Sequence, residues 1–201
     1  MVKTAKSRVL QKIRYKKSGW VFSAVDFLPD LKRWEIDQSF IALEKDGIIV
    51  RLLPGLYYCP EYSRLLKENV APNMQNVADA LARKYNWNIF PEGNTALNYL
   101  GLSTQLVSKY IYISSGGPRK YKIGNTVLEF RHRVLTESLI KDKNTMLVIQ
   151  AIKALGQIHA DANFTKQLSS RFSRSEWQSI KKHAQKITGW VYEIITKIAE
   201  K

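Results

Sequence analysis

Residues 23–60 constrain the fold most, because helix-start and helix-stop signals follow one another there at short spacing. Ser23 with Asp26 three residues later is a capping-box pattern, which starts a helix. Pro29 ends this helix after about one turn, since the residue before a proline avoids helical backbone angles. Asp30 is then placed to cap a second helix. The stretch therefore predicts two closely spaced helices joined by a tight turn.

The second helix is predicted to run from Asp30 to about Asp46, with Gly47 as its stop. One face is apolar at helical spacing and is expected to dock on a core through Ile36, Phe40 and Leu43. The opposite face is left free to contact a ligand. It carries Trp34, Gln38 and Lys45, with Lys32 and Arg33 in the first turn.

The pattern changes after Gly47 to one that predicts a two-stranded ribbon. Residues 48–52 are mostly β-branched, and Pro54-Gly55 separates them from the apolar residues 56–58. Helix, turn, helix and ribbon in this order predict a winged helix-turn-helix, whose second helix enters the major groove of double-stranded DNA. The alternative is a small helix-and-hairpin subdomain with no role in nucleic-acid binding.

The charge balance favours a polyanionic partner. Among 201 residues, 32 Lys and Arg stand against 17 Asp and Glu, for a net charge of +15. Such an excess favours nucleic acid most simply and a membrane surface less simply. Before the first acidic residue the chain carries seven cations: Lys3, Lys6, Arg8, Lys12, Arg14, Lys16 and Lys17. Five of them lie on a first helix predicted over residues 3–15, and together they indicate phosphate contact, with a merely solvated helix as the alternative.

These patterns give a set of candidate DNA contacts. Arginine and glutamine side chains read base edges, whereas lysines mostly supply salt-dependent affinity. Groove contact is predicted for Lys32, Arg33, Trp34 and Gln38, with Lys45 on the same helix face. Phosphate contact is predicted for Arg51 on the ribbon and for the N-terminal lysines, with Lys3 and Lys6 foremost.

Residues 61–201 are predicted to form a mixed domain. A helix fits residues 73–85, and alternating patterns over 110–114, 120–123 and 127–132 predict a small antiparallel sheet. Helices are expected from Asn144 onward. The chain is therefore predicted to be an α+β protein, with a winged helix-turn-helix domain at 1–60 and a domain with a helical C-terminal part at 61–201.

The sequence also carries cues to the compartment. No stretch resembles a signal peptide or a membrane-spanning helix, which predicts a cytoplasmic protein. Cys59 is the only cysteine, so no disulfide can form within the chain. It is interpreted as a small buried residue rather than as a nucleophile.

No catalytic residue, metal ligand or cofactor is predicted. His132, His159 and His183 lie far apart and have no metal-type spacing. The Gly116-Gly117-Pro118-Arg119 segment lies between predicted strands and opens no helix, so it is interpreted as a turn rather than as a phosphate loop.

One enzyme alternative stays open, a metal-dependent nuclease. Glu129 and Arg131 lie on the same side of a predicted strand, as a phosphodiesterase site would require. Such a site needs further carboxylates, for which Glu92 and Asp79 are the candidates. An exposed ion pair on a strand is the simpler interpretation.

Two segments of the chain resemble AbiEi-type antitoxins, the regulator half of bacterial type IV toxin-antitoxin or abortive-infection pairs. In the winged-helix region the matching residues are Ile36, Ala42-Leu43, Lys45-Asp46-Gly47-Ile48-Ile49 and Arg51-Leu52-Leu53-Pro54-Gly55-Leu56-Tyr57. In the second region they are Thr95-Ala96-Leu97-Asn98, Gly101-Leu102-Ser103-Thr104 and the strands to His132.

The resemblance implies a repressor that binds inverted repeats in its own promoter. It also implies a second domain that opposes a co-encoded nucleotidyltransferase-like toxin, without needing a tight complex with it. A palindromic operator would favour paired copies of the protein. The alternative from a different class is a protein-interaction module whose basic surface meets an acidic partner, such as the toxin itself.

Overall fold

The computed structural model describes residues 4–16, 18–103, 108–132, 140, 142–185 and 187–200. The chain forms two compact units, Met1–Trp87 and Asn88–Lys201. Both units combine helices with strands, which confirms the α+β class. The division predicted after residue 60 falls inside the first unit, because Arg83 reaches back to Asp26 with Nε 2.7 Å from Oδ1.

The first unit has the element order of a winged helix. Its elements are α1 (Ala5–Lys16), β1 (Val21–Phe22), a 3-10 turn (Ala24–Asp26), α2 (Arg33–Lys45), β2 (Val50–Leu53), β3 (Leu56–Tyr58), β4 (Glu61–Ser63), β5 (Glu68–Val70) and α3 (Met74–Tyr85). Strands β1, β3 and β2 form an antiparallel sheet in that order, and β4 and β5 form a separate hairpin. The β2–β3 ribbon is the wing, and α2 occupies the position of the recognition helix.

The short helix predicted after Ser23 is only a single 3-10 turn. The Ser23 amide donates to Asp26 Oδ2 at 2.9 Å, so the capping interaction forms without a longer helix behind it. Asp30 does not cap α2, because the helix begins only at Arg33. Its carboxylate instead lies 3.1 Å from Lys12 Nζ. Lys32 precedes α2 instead, and its amide donates to Glu35 Oε2 at 2.9 Å.

The core of the first unit lies between α1, α2 and the sheet. Aromatic rings form its centre, where Phe22, Phe27 and Phe40 contact one another at centroid distances of 5.4 to 5.7 Å. Aliphatic side chains from the two helices complete it: Val9, Ile13, Ile36 and Leu43. The predicted apolar face of α2 is therefore buried.

The second unit combines a sheet with a group of helices. Its elements are β6 (Ile89–Pro91), α4 (Asn94–Tyr99), β7 (Lys109–Ser114), β8 (Arg119–Ile123), β9 (Thr126–His132), α5 (Lys143–Leu155), a 3-10 turn (Gln157–His159), α6 (Ala162–Ser169), α7 (Arg174–His183) and α8 (Gly189–Ala199). The helices share a core built around Met146, Ile149, Trp177 and Ile195. Within the described residues, no helix is long and apolar enough to cross a membrane.

The sheet of the second unit is mixed, whereas the sequence predicts a wholly antiparallel one. Its strand order is β6-β7-β9-β8, and β9 runs parallel to β7. The two-residue turn at Gly124-Asn125 joins β8 and β9 as a hairpin. The four-residue Ser115–Pro118 connection carries β8 past the position next to β7, and β9 fills that position.

Candidate nucleic-acid interface

The outward side of α2 carries four exposed side chains at helical spacing, Trp34, Gln38, Ile41 and Lys45, which we name the α2 stripe. Trp34 is 65% exposed and Ile41 is 59% exposed. Residues at these intervals lie on one side of a helix. The stripe therefore presents two large apolar groups, one amide and one ammonium group to solvent. Ile41 was not among the predicted contacts, although its spacing from Trp34 could have revealed it.

Aromatic packing fixes α2 against the rest of the unit. The Phe40 ring lies 5.5 Å from Phe22, 5.4 Å from Phe27 and 4.9 Å from Tyr57, measured between centroids. The Ser39 hydroxyl donates back to the Glu35 carbonyl at 2.7 Å and so satisfies a buried polar group. The stripe is consequently carried on a rigid support.

The first turn of α2 places two predicted cations at the protein surface. Lys32 and Arg33 are both exposed. Arg33 Nε contacts the Asp37 carboxylate at 2.9 Å and 3.1 Å, one helical turn further on. An exposed pair of this kind contributes little to stability and is readily exchanged for another anion. The guanidinium is thus held in place but can still reach a phosphate.

A cleft of about 390 Å³ separates α2 from the wing. Residues that line it include Arg33, Asp37, Pro54, Gly55, Tyr57 and Lys84. Lys84 comes from α3, and its Nζ donates to the Pro54 carbonyl at 2.7 Å. Gly55 has φ +71, and a Cβ there would lie 3.2 Å from that Nζ, so glycine suits both the turn and the close approach. Two cations therefore flank the turn of the wing.

Tyr57 of β3 lies on the same side of the wing. Burial raises the pKa of its phenol, against the opposing effect of the Arg51 charge. A phenol is protonated at neutral pH in any case, so Tyr57 can donate a hydrogen bond there. Arg51 itself lies on the exposed side of β2.

The remaining predicted contacts are distributed around this surface. Lys6 Nζ lies 2.7 Å from Asp46 Oδ2, which places it at the C-terminal end of α2 near Lys45. Lys3 lies outside the described residues. The structure thus brings together four predicted residues on α2 and Lys32 directly before it, with Arg51 on the ribbon that follows.

The helix α2 is not basic. Within α2, Glu35, Asp37 and Glu44 oppose Arg33 and Lys45. The cations are concentrated on α1, whose 12 residues contain no carboxylate. Two of its cations are engaged, Lys6 with Asp46 and Lys12 with Asp30. The net charge of the chain therefore gives no indication of where sequence reading would occur.

The nuclease alternative concerns the sheet of the second unit. Glu129 is 6% exposed, with Lys109 Nζ and Arg131 Nε each 2.7 Å from its carboxylate and Lys120 Nζ at 3.6 Å. Hydrogen bonds from Lys109 and then Arg131 lower the pKa of Glu129 to about 2. A metal ion would have to displace these cations, so the geometry is that of an ion-pair network.

The other proposed carboxylates do not complete a metal site. Glu92 Oε2 lies 3.4 Å from Arg131 Nη1, and Asp79 belongs to the first unit. Across the described part of the chain, no group of three or more His, Cys, Asp or Glu side chains could hold a metal ion.

The fold defines a protein that joins a winged-helix unit to a second α+β unit. Residues 8–180 match a protein family described as a family of unknown function, DUF6088, and the chain belongs to that family. No curated protein matches the chain. Among solved structures it is similar to the crystal structure of RV2827C protein from Mycobacterium tuberculosis, with 12% identity and a TM-score of 0.40 over 100% of this chain and 78% of that one.

Proposed function

We propose that this protein is a sequence-specific DNA-binding repressor that acts in the cytoplasm and places α2 in the major groove. One observation carries the proposal, the exposed α2 stripe at the recognition-helix position of a winged helix. The stripe offers an amide and apolar groups rather than a run of cations. This composition suits the reading of base edges better than non-specific attraction.

Each side chain of the stripe has a role that its chemistry supports. The Gln38 amide can pair with the N6 and N7 groups of adenine. Trp34 and Ile41 can contact thymine methyl groups or sugars, and Lys45 can bind a phosphate. These contacts require close approach, which the exposure of all four residues permits.

Phosphate contacts would hold α2 in register. Arg33 and Lys84 flank the cleft beside the wing, and Arg51 lies on β2 next to it. Lys6, at the other end of α2, and Lys3 would add contacts from the N-terminal region. Each neutralised phosphate releases counterions, so binding should weaken steeply as the salt concentration rises.

We further propose that the DNA site is the protein's own promoter and that the protein acts as an antitoxin against a nucleotidyltransferase-like toxin. The support is the resemblance of the wing region and of residues 95–132 to AbiEi-type antitoxins. Co-expression tests this part directly. The chain should restore growth of cells that express a neighbouring nucleotidyltransferase-like gene, and no restoration would remove the antitoxin role while leaving repression intact.

A second candidate function is a protein-interaction module. The observation in its favour is the charge of α2, where three carboxylates oppose two cations and two large apolar groups are exposed. Such a face also fits a protein partner. The two functions differ in whether the α2 stripe discriminates between DNA sequences.

The decisive experiment compares the upstream DNA of the gene with a scrambled duplex of equal length, at two salt concentrations. Gln38→Ala should cost about 1–3 kcal/mol on the upstream DNA and much less on the scrambled duplex. Gln75→Ala is the matched control, since Gln75 is an exposed glutamine on α3 of the same unit. Equal losses on both duplexes would exclude base reading by Gln38. Equal binding of the unmodified protein to both would contradict the repressor proposal.

A further inference from the structure

Strand β8 lies at an edge of the sheet in the second unit. The strand order is β6-β7-β9-β8, so among the described residues β9 lies on one side of β8 and no strand lies on the other. Alternate residues of a strand direct their backbone N–H and C=O groups to opposite sides. The outward groups of β8 are therefore open to another strand. With its five residues, Arg119–Ile123, β8 is long enough to pair with one.

The two faces of β8 differ in their chemistry. One face carries Lys120 and Lys122, which are both exposed. The other face carries Tyr121 and Ile123, which are half-buried. A strand added beside β8 would therefore meet two ammonium groups on one face and two apolar groups on the other.

Both lysines are available to a partner. Within the described part of the chain, no carboxylate contacts Lys122. Lys120 Nζ lies 3.6 Å from Glu129 Oε2, and its side chain is 70% exposed. Glu129 has two closer cations, Lys109 and Arg131, each at 2.7 Å. Lys120 can consequently turn to another carboxylate at little cost.

The same two lysines exclude a second copy of β8 as the partner. Strands that pair across a two-fold axis run antiparallel. With the axis at Tyr121, Lys120 of one copy lies opposite Lys122 of the other. With the axis at either lysine, that lysine lies opposite its own copy. Like charges in opposite positions destabilise strand pairing, so the partner has to be a different strand.

We propose that β8 binds an extended segment of another protein, which adds a strand to the edge of the sheet and carries carboxylates on one face and apolar side chains on the other. In one register the carboxylates lie beside Lys120 and Lys122, and the apolar side chains lie beside Tyr121 and Ile123. A shift by one residue moves the carboxylates to the apolar face, so the partner must alternate strictly. The proposal does not depend on DNA binding.

The probe is the fluorescent peptide Thr-Val-Glu-Val-Glu-Val-Thr with blocked ends, titrated with the full chain and followed by anisotropy at about 0.15 M salt. A dissociation constant of about 10–100 μM is expected, because one short strand buries little surface. The isomer Thr-Val-Val-Glu-Glu-Val-Thr has the same charge but places its glutamates on opposite faces. It should bind about threefold more weakly or less.

Backbone methylation separates strand pairing from attraction by charge. Two analogues of the peptide carry N-methyl groups, one on the glutamate amides and the other on the valine amides. Only one of these two sets of amides can face β8. One analogue should therefore lose about tenfold or more in affinity, and the other should bind about as well as the parent peptide.

A substitution on β8 locates the binding edge. Lys122→Glu should weaken binding of the parent peptide by about fivefold or more, because a like charge replaces an opposite one. Lys197→Glu on α8 is the matched control, since it makes the same charge change at an exposed lysine of the same unit. Thermal unfolding should be similar for both variants, because both side chains are exposed.

Equal affinity of the two methylated analogues would overturn the proposal, since attraction by charge does not depend on which amides are free. Equal losses for Lys122→Glu and Lys197→Glu would overturn it too, and so would the absence of binding up to about 1 mM. If β8 contacts the DNA backbone instead, a scrambled duplex should displace the peptide and the two analogues should bind alike. A second copy on this edge would give a dimer in sedimentation that the peptide dissociates. Either of these two results would exclude the acidic strand.

Discussion

Helix α2 and strand β9 are the central elements of their units, and they are held in different ways. Apolar contacts hold α2, whose Phe40 lies among the rings of Phe22, Phe27 and Tyr57. An ion-pair network holds β9, because Glu129 binds Lys109 and Arg131. Apolar support leaves the outer side chains of α2 in solvent, whereas the charges around β9 are engaged within the protein.

The difference indicates where a ligand can be recognised. A charged side chain that already has a partner within the protein must release that partner before it can bind a ligand. This cost reduces the net free energy of binding. The cations around Glu129 are in this state. Gln38 and Trp34 on the α2 stripe lose only contact with water when a ligand approaches. In the proposed function, the overall charge would attract DNA at long range, and the α2 stripe would discriminate between sequences.

The largest effect is expected from Phe40→Ala. Removal of the ring leaves a cavity among Phe22, Phe27 and Tyr57, and the free energy of unfolding should fall by about 3–5 kcal/mol in urea titrations. Ile41→Ala at the next position is the matched control. Ile41 is 59% exposed, so its loss should change stability by no more than about 0.5 kcal/mol. Similar losses for both variants would contradict the assignment of the two helix faces.

The next effect concerns Glu129→Gln, which removes the charge at the centre of the β9 network. At pH 7 the variant should lose about 1–3 kcal/mol of stability, since Lys109 and Arg131 lose their common anion. Glu193→Gln, at an exposed site on α8, should have almost no effect. A neutral result for Glu129→Gln would mean that the ion pairs only balance the cost of burying the carboxylate.

The difference in stability between the unmodified protein and Glu129→Gln should depend on pH, because folding lowers the pKa of Glu129. The pKa of Glu129 falls from 4.5 to about 2 in the folded protein. Its stabilising contribution is therefore complete above about pH 4.5 and is lost as the pH falls towards about 2. In urea titrations at pH 7 and at successively lower pH, the free energies of unfolding of the unmodified protein and of Glu129→Gln should converge. A difference in the free energy of unfolding that stayed constant down to about pH 2 would show that folding does not lower the pKa of Glu129.

Local patterns in the sequence predicted the features that depend on local spacing. The buried face of α2 follows from the intervals between Ile36, Phe40 and Leu43, and the wing turn follows from Pro54-Gly55. Both are present in the structure. Side-chain periodicity and turn chemistry are properties of neighbouring residues, so a single sequence contains them.

Features that depend on distant parts of the chain were not predictable in this way. The parallel pairing of β7 with β9 depends on which strand fills a position in the sheet, not on the pattern within either strand. Lys84 reaches the wing from a helix 30 residues further along the chain, and nothing near Pro54 indicates its arrival. The role of the stripe in DNA binding stays a prediction.

A smaller effect should separate the charge of α2 from the base reading proposed for it. Asp37→Asn frees Arg33 from its partner and removes a negative charge beside the wing. We expect about three- to tenfold tighter binding to both the upstream and the scrambled duplex, with a steeper salt dependence, because one more cation becomes available to phosphate. Glu193→Gln makes the same change in net charge far from α2 in sequence and should raise affinity much less. A gain confined to the upstream DNA would indicate that Arg33 reads a base instead.

The smallest effect is expected at the wing from Lys84→Met, which keeps the length of the side chain and removes its charge. If Lys84 binds a phosphate beside the Pro54-Gly55 turn, affinity should fall by about two- to fivefold on every duplex, and the slope of affinity against salt should decrease by about one counterion. Lys197→Met on α8 is the control for loss of one exposed cation. The hydrogen bond to the Pro54 carbonyl lies at the surface, so stability should change little. If affinity fell only for the upstream DNA, Lys84 would contribute to sequence discrimination. Discrimination would then not be confined to the α2 stripe.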